Sequence, residues 1–117
     1  MAVQKKHKAR NFIKEAENGI QNAICDYLAL KHYVFWRQNT IPVFDMKTNS
    51  YRKMPRYSMN GVSDIILLTN GTAFFLEVKA LAGKQDEDQI EFERLVNKAG
   101  CHYAVVRSLE DVINLGL

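Results

Sequence analysis

At 117 residues the chain has material for one domain and one substantial core, not for two. Apolar residues make up 47% and charged residues 25%, which excludes wholesale disorder, and no apolar run approaches the length that crosses a bilayer. The net charge of +3 is unevenly held: Lys5, Lys6, Lys8 and Arg10 precede the first acid, Glu15, and setting those four of 16 aside leaves 12 basic against 13 acidic residues.

Residues 1–10 read as a flexible basic arm and residues 11–117 as a single domain. No apolar stretch follows the basic start, so a secretory signal is not expected and the cytoplasm is the expected compartment. From Phe12 to Lys31 the residues Ile13, Ile20, Ile24, Tyr27 and Leu28 recur at helical spacing, which predicts a long amphipathic helix interrupted only by Gly19. Tyr33-Val34-Phe35-Trp36 is rich in β-formers and predicts a strand. Residues 41–44 and 51–57 form a looser predicted hairpin around Thr48-Asn49-Ser50, with Pro42 and Pro55 confining it to edge or loop. Lys47, Arg52, Lys53 and Arg56 make a second basic cluster there, suited to phosphate contact. Tyr51 and Tyr57 read as buried or rim residues, with base stacking the alternative.

Residues 63–69 and 72–80 are two β-rich runs separated by Asn70-Gly71, the preferred pair for a two-residue type I′ turn. Both runs are apolar on both faces near the turn, which predicts central strands covered on two sides. Residues 85–98 predict a helix with Asp86, Glu87 and Asp88 at its positive end and Gly100 where a C-terminal cap is needed. A short buried strand over 102–107 and a final helix capped by Ser108 complete the order. The expected fold is an α/β sandwich on a mixed central sheet flanked by helices. Cys25 and Cys101 have no metal-ligand spacing and read as free thiols.

The Asn70-Gly71 turn fixes a register. Thr69 faces Thr72, Leu68 faces Ala73, and counting outward Asp64 faces Glu77. Directly opposed side chains lie with Cβ atoms about 4.5–5.5 Å apart, where two carboxylates repel. A divalent cation between them reverses that, because hard oxygen ligands suit Mg²⁺ or Mn²⁺. Lys79 shares the Glu77 face, two residues on. An ammonium there can orient a water or stabilise charge on a phosphate. The alternative is a cross-strand salt network at a fraying sheet end. Glu17 and Gln21 interrupt the apolar face of the first helix, and Gln89 lies with Phe92 and Val96 on the inward face of the second.

Gly61-Val62-Ser63-Asp64 followed by Glu77-Val78-Lys79 resembles the PD-(D/E)XK nuclease signature, with Ser63 in place of its Pro. Adding Glu17-Asn18-Gly19-Ile20-Gln21 and Gln89, the chain from about Glu15 to Leu109 resembles the VRR-NUC (virus-type replication-repair nuclease) family, in its stand-alone phage and viral form. The resemblance implies a restriction-endonuclease-like fold and a hydrolase for DNA phosphodiesters with a role in DNA repair. It implies Asp64, Glu77 and the Val78 carbonyl as metal ligands and Lys79 as the residue that positions or activates the attacking water. Glu17 would hold a water at the metal or a second ion, and Gln89 would support the site or touch phosphate. Mg²⁺ or Mn²⁺ is the implied cofactor, and structure-selective cutting of branched DNA such as a Holliday junction, by a homodimer, the implied action. If phage-encoded, the enzyme would work in the host cytoplasm. A restriction-type or exonucleolytic nuclease is a rival, opposed by the small size. A non-catalytic nucleic-acid-binding module is another, opposed by the retained carboxylates.

Overall fold

The computed structural model describes residues 2–38, 44–51 and 55–117. The elements run α1 (Ala2–Leu30), β1 (Val34–Arg37), β2 (Phe44–Asp45), β3 (Ser50–Tyr51), β4 (Ile65–Thr69), β5 (Thr72–Val78), α2 (Glu87–Lys98), β6 (His102–Val106) and α3 (Leu109–Asn114). The molecule is a mixed α/β sandwich, as expected.

Helix α1 starts at Ala2, ten residues before the predicted start at Phe12, so residues 2–10, read as a flexible basic arm, are helical. The physical reason is composition: Ala, Gln, Lys and Arg are good helix formers, and neither Gly nor Pro interrupts them before Gly19. The helix ends where His32 takes a left-handed φ of 60°, with its N–H on the Ala29 carbonyl and the Tyr33 N–H on the Leu28 carbonyl. These bonds satisfy two of the carbonyls that a helix end leaves open.

Four strands form one sheet in the order β1-β4-β5-β6. Asn70 and Gly71, at φ 50° and 75°, make the tight turn between β4 and β5, and the ladder runs from Thr69↔Thr72 to Ile65↔Leu76. β1 lies antiparallel on the outer side of β4, while β6 runs parallel to β5, which requires the crossover through α2. A small second hairpin pairs Phe44 with Tyr51 and Asp45 with Ser50. Of the rest of the expected hairpin, residues 41–43 and 52–54 lie outside the described residues, and residues 55–57 form loop and turn, not strand.

One face of the sheet packs on α1 and α3. Ile24 and Leu28 of α1, Ile65, Leu67 and Leu76 of the sheet, and Val112 of α3 are fully buried together there. On the other face α2 lays Phe92 edge-on against Phe75 and Tyr103, at 5.4 and 6.1 Å between ring centroids. This cover is partial. A single helix is about 10 Å across and strands are about 4.8 Å apart, so α2 spans two strands and not four. Val34 (62% exposed), Trp36 (42%) and Leu68 (44%) therefore stay open on the β1–β4 half, contrary to the expectation of two-sided cover. β6, expected to be buried, is an edge strand in which only Val106 is fully inside. Among the described residues no helix is long and apolar enough to cross a membrane.

Candidate functional site

The site lies at the end of the β4–β5 hairpin away from its turn. Past Ile65↔Leu76 the backbone ladder between the two strands gives way to a side chain: Asp64 Oδ2 accepts the Val78 N–H at 2.8 Å. The Asp64 carbonyl meanwhile accepts the Gln38 N–H at 2.8 Å. Asp64 is thus held through its main chain by Gln38, the residue after β1, and through its carboxylate by Val78 of β5. Just before it, Ser63 is fully buried with its hydroxyl on the Ile65 carbonyl at 3.3 Å. Gly61 has a φ of +74° and packs so tightly on α2 that a Cβ would collide with the Asp88 carbonyl. Only Gly meets both demands, and the loop carrying Asp64 is thereby fastened to the start of α2.

Glu77, across from Asp64, is only 3% exposed. Its Oε1 accepts the Gln89 amide N–H at 2.9 Å and lies 3.9 Å from the Lys79 ammonium. Its Oε2 is buried without a hydrogen-bond partner among the described residues. Burial, then the negative charge of Asp64, push the Glu77 carboxyl up to about 8, and the Lys79 charge does not offset them. Two ionised carboxylates are acceptors only, so the pair needs a shared proton or a cation between its oxygens. Tyr103 is pushed up to about 12, chiefly by burial, and holds its proton at neutral pH.

Gln89 reaches Glu77 because of how α2 begins. Asp86 is the N-cap; its carboxylate accepts the Gln89 N–H at 2.9 Å, and the Gln89 Oε1 accepts the Asp86 N–H at 3.0 Å. This capping box consumes the amide oxygen and leaves the NH₂ group aimed at Glu77. The inward position expected for Gln89, on the face it shares with Phe92 and Val96, is present, at the first turn of the helix. Glu17 is half-buried and accepts the Ala80 N–H at 3.3 Å, which ties α1 to the segment just after Lys79. Gln21 is buried and accepts from the Arg37 guanidinium at 2.8 Å.

The fold therefore gathers Asp64, Glu77, Lys79 and Gln89, with Val78 against Asp64 and Glu17 one peptide further on. The donors present are carboxylate and backbone oxygens with one orphaned buried oxygen, a set that fits a hard divalent ion. Among the described residues no three His, Cys, Asp or Glu side chains converge as a metal cage. Side-chain ligation would come from the Asp64–Glu77 pair, with Glu17 engaged at Ala80. Lys47 and Arg56 are exposed on the β2–β3 turn and the following loop, and no hydrogen bond or ion pair among the described residues joins them to the carboxylates. Arg52 and Lys53 lie outside the described residues. Tyr51 and Tyr57 are exposed, not buried or at a rim: Tyr51 touches Phe44 edge-on, and Arg56 covers the Tyr57 ring at 5.0 Å. Cys25 and Cys101 are free and half-buried.

Sequence reasoning missed Arg107, which follows β6 and donates to the carbonyls of Ala80 at 2.6 Å and Gly83 at 2.9 Å. It also missed Arg37. Neither has a local pattern that announces it, since both act on partners distant in the chain. Gly61 had a usable signal, a glycine three residues before a candidate ligand. No protein-family model matches this chain, and no curated protein matches it significantly.

Proposed function

We propose that this protein is a Mg²⁺- or Mn²⁺-dependent nuclease that hydrolyses DNA phosphodiesters, with branched DNA such as a four-way junction as its substrate. The observation that carries the reading is the buried Glu77 carboxylate beside Asp64, one oxygen held by Gln89 and the other without a partner. Ionised together, the two carboxylates repel at close range, and a fold gains no stability from that state. A cation-binding role explains it. The similarity of Gly61-Val62-Ser63-Asp64, Glu77-Val78-Lys79, Glu17 and Gln89 to the VRR-NUC pattern supports DNA as the substrate.

Asp64, Glu77 and the Val78 carbonyl would hold the ion, which when bound supplies Lewis-acid stabilisation of the charge developing on phosphate. Gln89 fixes the Glu77 carboxylate, so that Oε1 is committed and the buried Oε2 is left for the ion. The Lys79 ammonium stands next to that carboxylate, able to orient an attacking water or to bind a phosphate oxygen. Glu17 holds the backbone that follows Lys79. Lys47, Arg52, Lys53 and Arg56 would bind phosphates away from the reacting bond, giving recognition by shape over sequence. Two cuts are needed to resolve a four-way junction and the described residues of each chain form one such site, so a homodimer is the working form. The cytoplasm, the host's if the gene is viral, is the compartment that fits.

The test is cleavage of labelled four-way junction, flap, single-stranded and plain duplex DNA with Mg²⁺, Mn²⁺ or chelator. Junction cutting that needs the metal and disappears in Asp64→Asn and Glu77→Gln is expected. No cutting of any substrate, or undiminished cutting by those variants, defeats the proposal. Equal cutting of duplex and junction removes the structure selectivity alone, and a monomer by light scattering at micromolar concentration removes the dimer.

A further inference from the structure

We infer that Arg107 is a positioning residue for this site, a clamp that sets Lys79 and Glu17 through the turn at residues 80–83. The inference rests on the nuclease reading for its catalytic consequence, but the clamp itself is a matter of geometry. One guanidinium nitrogen, Nη1, donates to the carbonyls of Ala80 at 2.6 Å and Gly83 at 2.9 Å, with Leu81 further off at 3.3 Å. Charge-assisted bonds of this kind are shorter and stronger than neutral ones. They converge on a turn that closes on itself through a Gly83 N–H to Ala80 carbonyl bond of 2.9 Å.

That turn touches both functional side chains. The Ala80 N–H donates to Glu17, and a Cβ added at Gly83 would stand 3.0 Å from the same Glu17 oxygen and 3.4 Å from Lys79 Cδ. The peptide before it is fixed as well, since the Lys79 N–H donates to the Val106 carbonyl at 3.1 Å. Arg107 is in turn anchored from behind: its own N–H donates to Asp111 Oδ2 at 2.8 Å, and Asp111 sits in the first turn of α3, whose cap is Ser108. A continuous chain of contacts therefore runs from the start of α3 through Arg107 to the turn, and from the turn to Lys79 and Glu17. Without the guanidinium the three carbonyls lose their common partner, and the turn is free to relax away from the carboxylate and the lysine stem.

The experiment compares the parent chain with Arg107→Ala and Arg107→Lys. Binding of a labelled four-way junction is measured in Ca²⁺, single-turnover cleavage in Mn²⁺, and amide hydrogen exchange on the free proteins. Displacement of a reacting group by about 1 Å can cost up to ~100-fold in rate, so a fall of about tenfold or more is expected for Arg107→Ala. Junction affinity in Ca²⁺ should stay within about twofold, because the guanidinium faces carbonyls and not the phosphates. Arg107→Lys, whose ammonium also carries three donors, should recover part of the rate. Exchange should quicken at Ala80 and Gly83 and stay unchanged at Leu76 and Val105. Full cleavage by Arg107→Ala overturns the inference, as does a loss of rate matched by an equal loss of affinity or of folded protein. A parent that cuts no DNA defeats the nuclease reading, and exchange then judges the clamp alone: unaltered protection at Ala80 and Gly83 overturns it.

Discussion

The two faces of the sheet are built to different rules. Under α1 and α3, Ile24, Leu28, Ile65, Leu67, Leu76 and Val112 are fully buried and apolar throughout. Under α2, two residues of the same strands, Ile66 and Phe75, pack normally, but the next pair outward is Asp64 and Glu77, and Trp36 and Leu68 on the other side lie open. Alternation along β4 and β5 sends neighbours to opposite faces, so one hairpin supplies the core with its Leu76 and the site with its Glu77. The apolar face has every reason to exist without function. The polar face carries a like-charge pair and an orphaned oxygen that cost stability, and such costs are kept where a site needs them.

This contrast breaks most sharply at Glu77. Glu77→Gln keeps an acceptor for Gln89 and adds a donor for Asp64. It should lower the cleavage rate at least ~10²-fold, the scale on which acid–base and electrostatic contributions act. Above about pH 8, where Glu77 is ionised, the same change should stabilise the cation-free protein by about 1–3 kcal/mol, because it removes a buried charge with an unsatisfied oxygen. Thermal melts and cleavage assays on one preparation decide it. If Glu77→Gln melts lower than the parent at that pH, the two faces do not differ as described.

On the opposite face the expectation reverses. Leu67→Ala deletes a fully buried side chain and should cost about 2–5 kcal/mol by denaturant titration. Cleavage per folded molecule should be little changed at a temperature where the variant is still folded.

A change of pH separates the faces without mutation. Glu77 has a folded-state value of about 8 against an ordinary 4.5. An acid raised on folding contributes its full stability below the ordinary value and loses it as the pH rises through the folded one. Without divalent ions the melting temperature should therefore fall between about pH 5 and pH 9, by roughly 5 °C or more. Mn²⁺ or Mg²⁺ should restore it most at the alkaline end. Glu77→Gln should flatten the profile; a slope that survives this substitution assigns the titration elsewhere.

The smallest effect concerns α1. Gly19 sits in the helix interior, and among the described residues no atom outside the helix backbone would meet a Cβ there. Gly19→Ala should raise stability by about 0.5–1 kcal/mol through the lower entropy of the unfolded chain and leave cleavage intact. A loss of activity would show that Gly19 shapes the path between Glu17 and Gln21.

Local chemistry explains which features were readable in advance. The Asn70-Gly71 turn was legible because few residues adopt positive φ at both positions, and a two-residue loop leaves one pairing register; Asp64 opposite Glu77 follows by counting. The Ser108 cap, the acidic start of α2 and the glycine after it are likewise local, whereas the capping role of Asp86, read as lying inside the helix, was missed. The double duty of Gln89 was half legible. Its inward placement shows in the pattern, whereas its grip on the Asp86 N–H depends on the helix starting at Glu87. The reach of α1 back to Ala2 was missed because a run of lysines reads equally as a helix or as a solvated arm.

Periodicity and turn chemistry are nearest-neighbour properties, so the helices, the β4–β5 register and the two opposed acids are written in the order of residues. What those acids meet is a different kind of fact. The Gln89 amide on Glu77, the Ala80 N–H on Glu17 and the Arg107 guanidinium on the 80–83 carbonyls join residues 12, 63 and up to 27 positions apart. No spacing rule encodes these contacts, because they arise only when the parallel β5–β6 pairing and the docking of α1 bring separate elements to one sheet end. The burial that lifts Glu77 to about 8 has the same origin, since desolvation is a property of everything packed around a group and not of the group's neighbours in the chain.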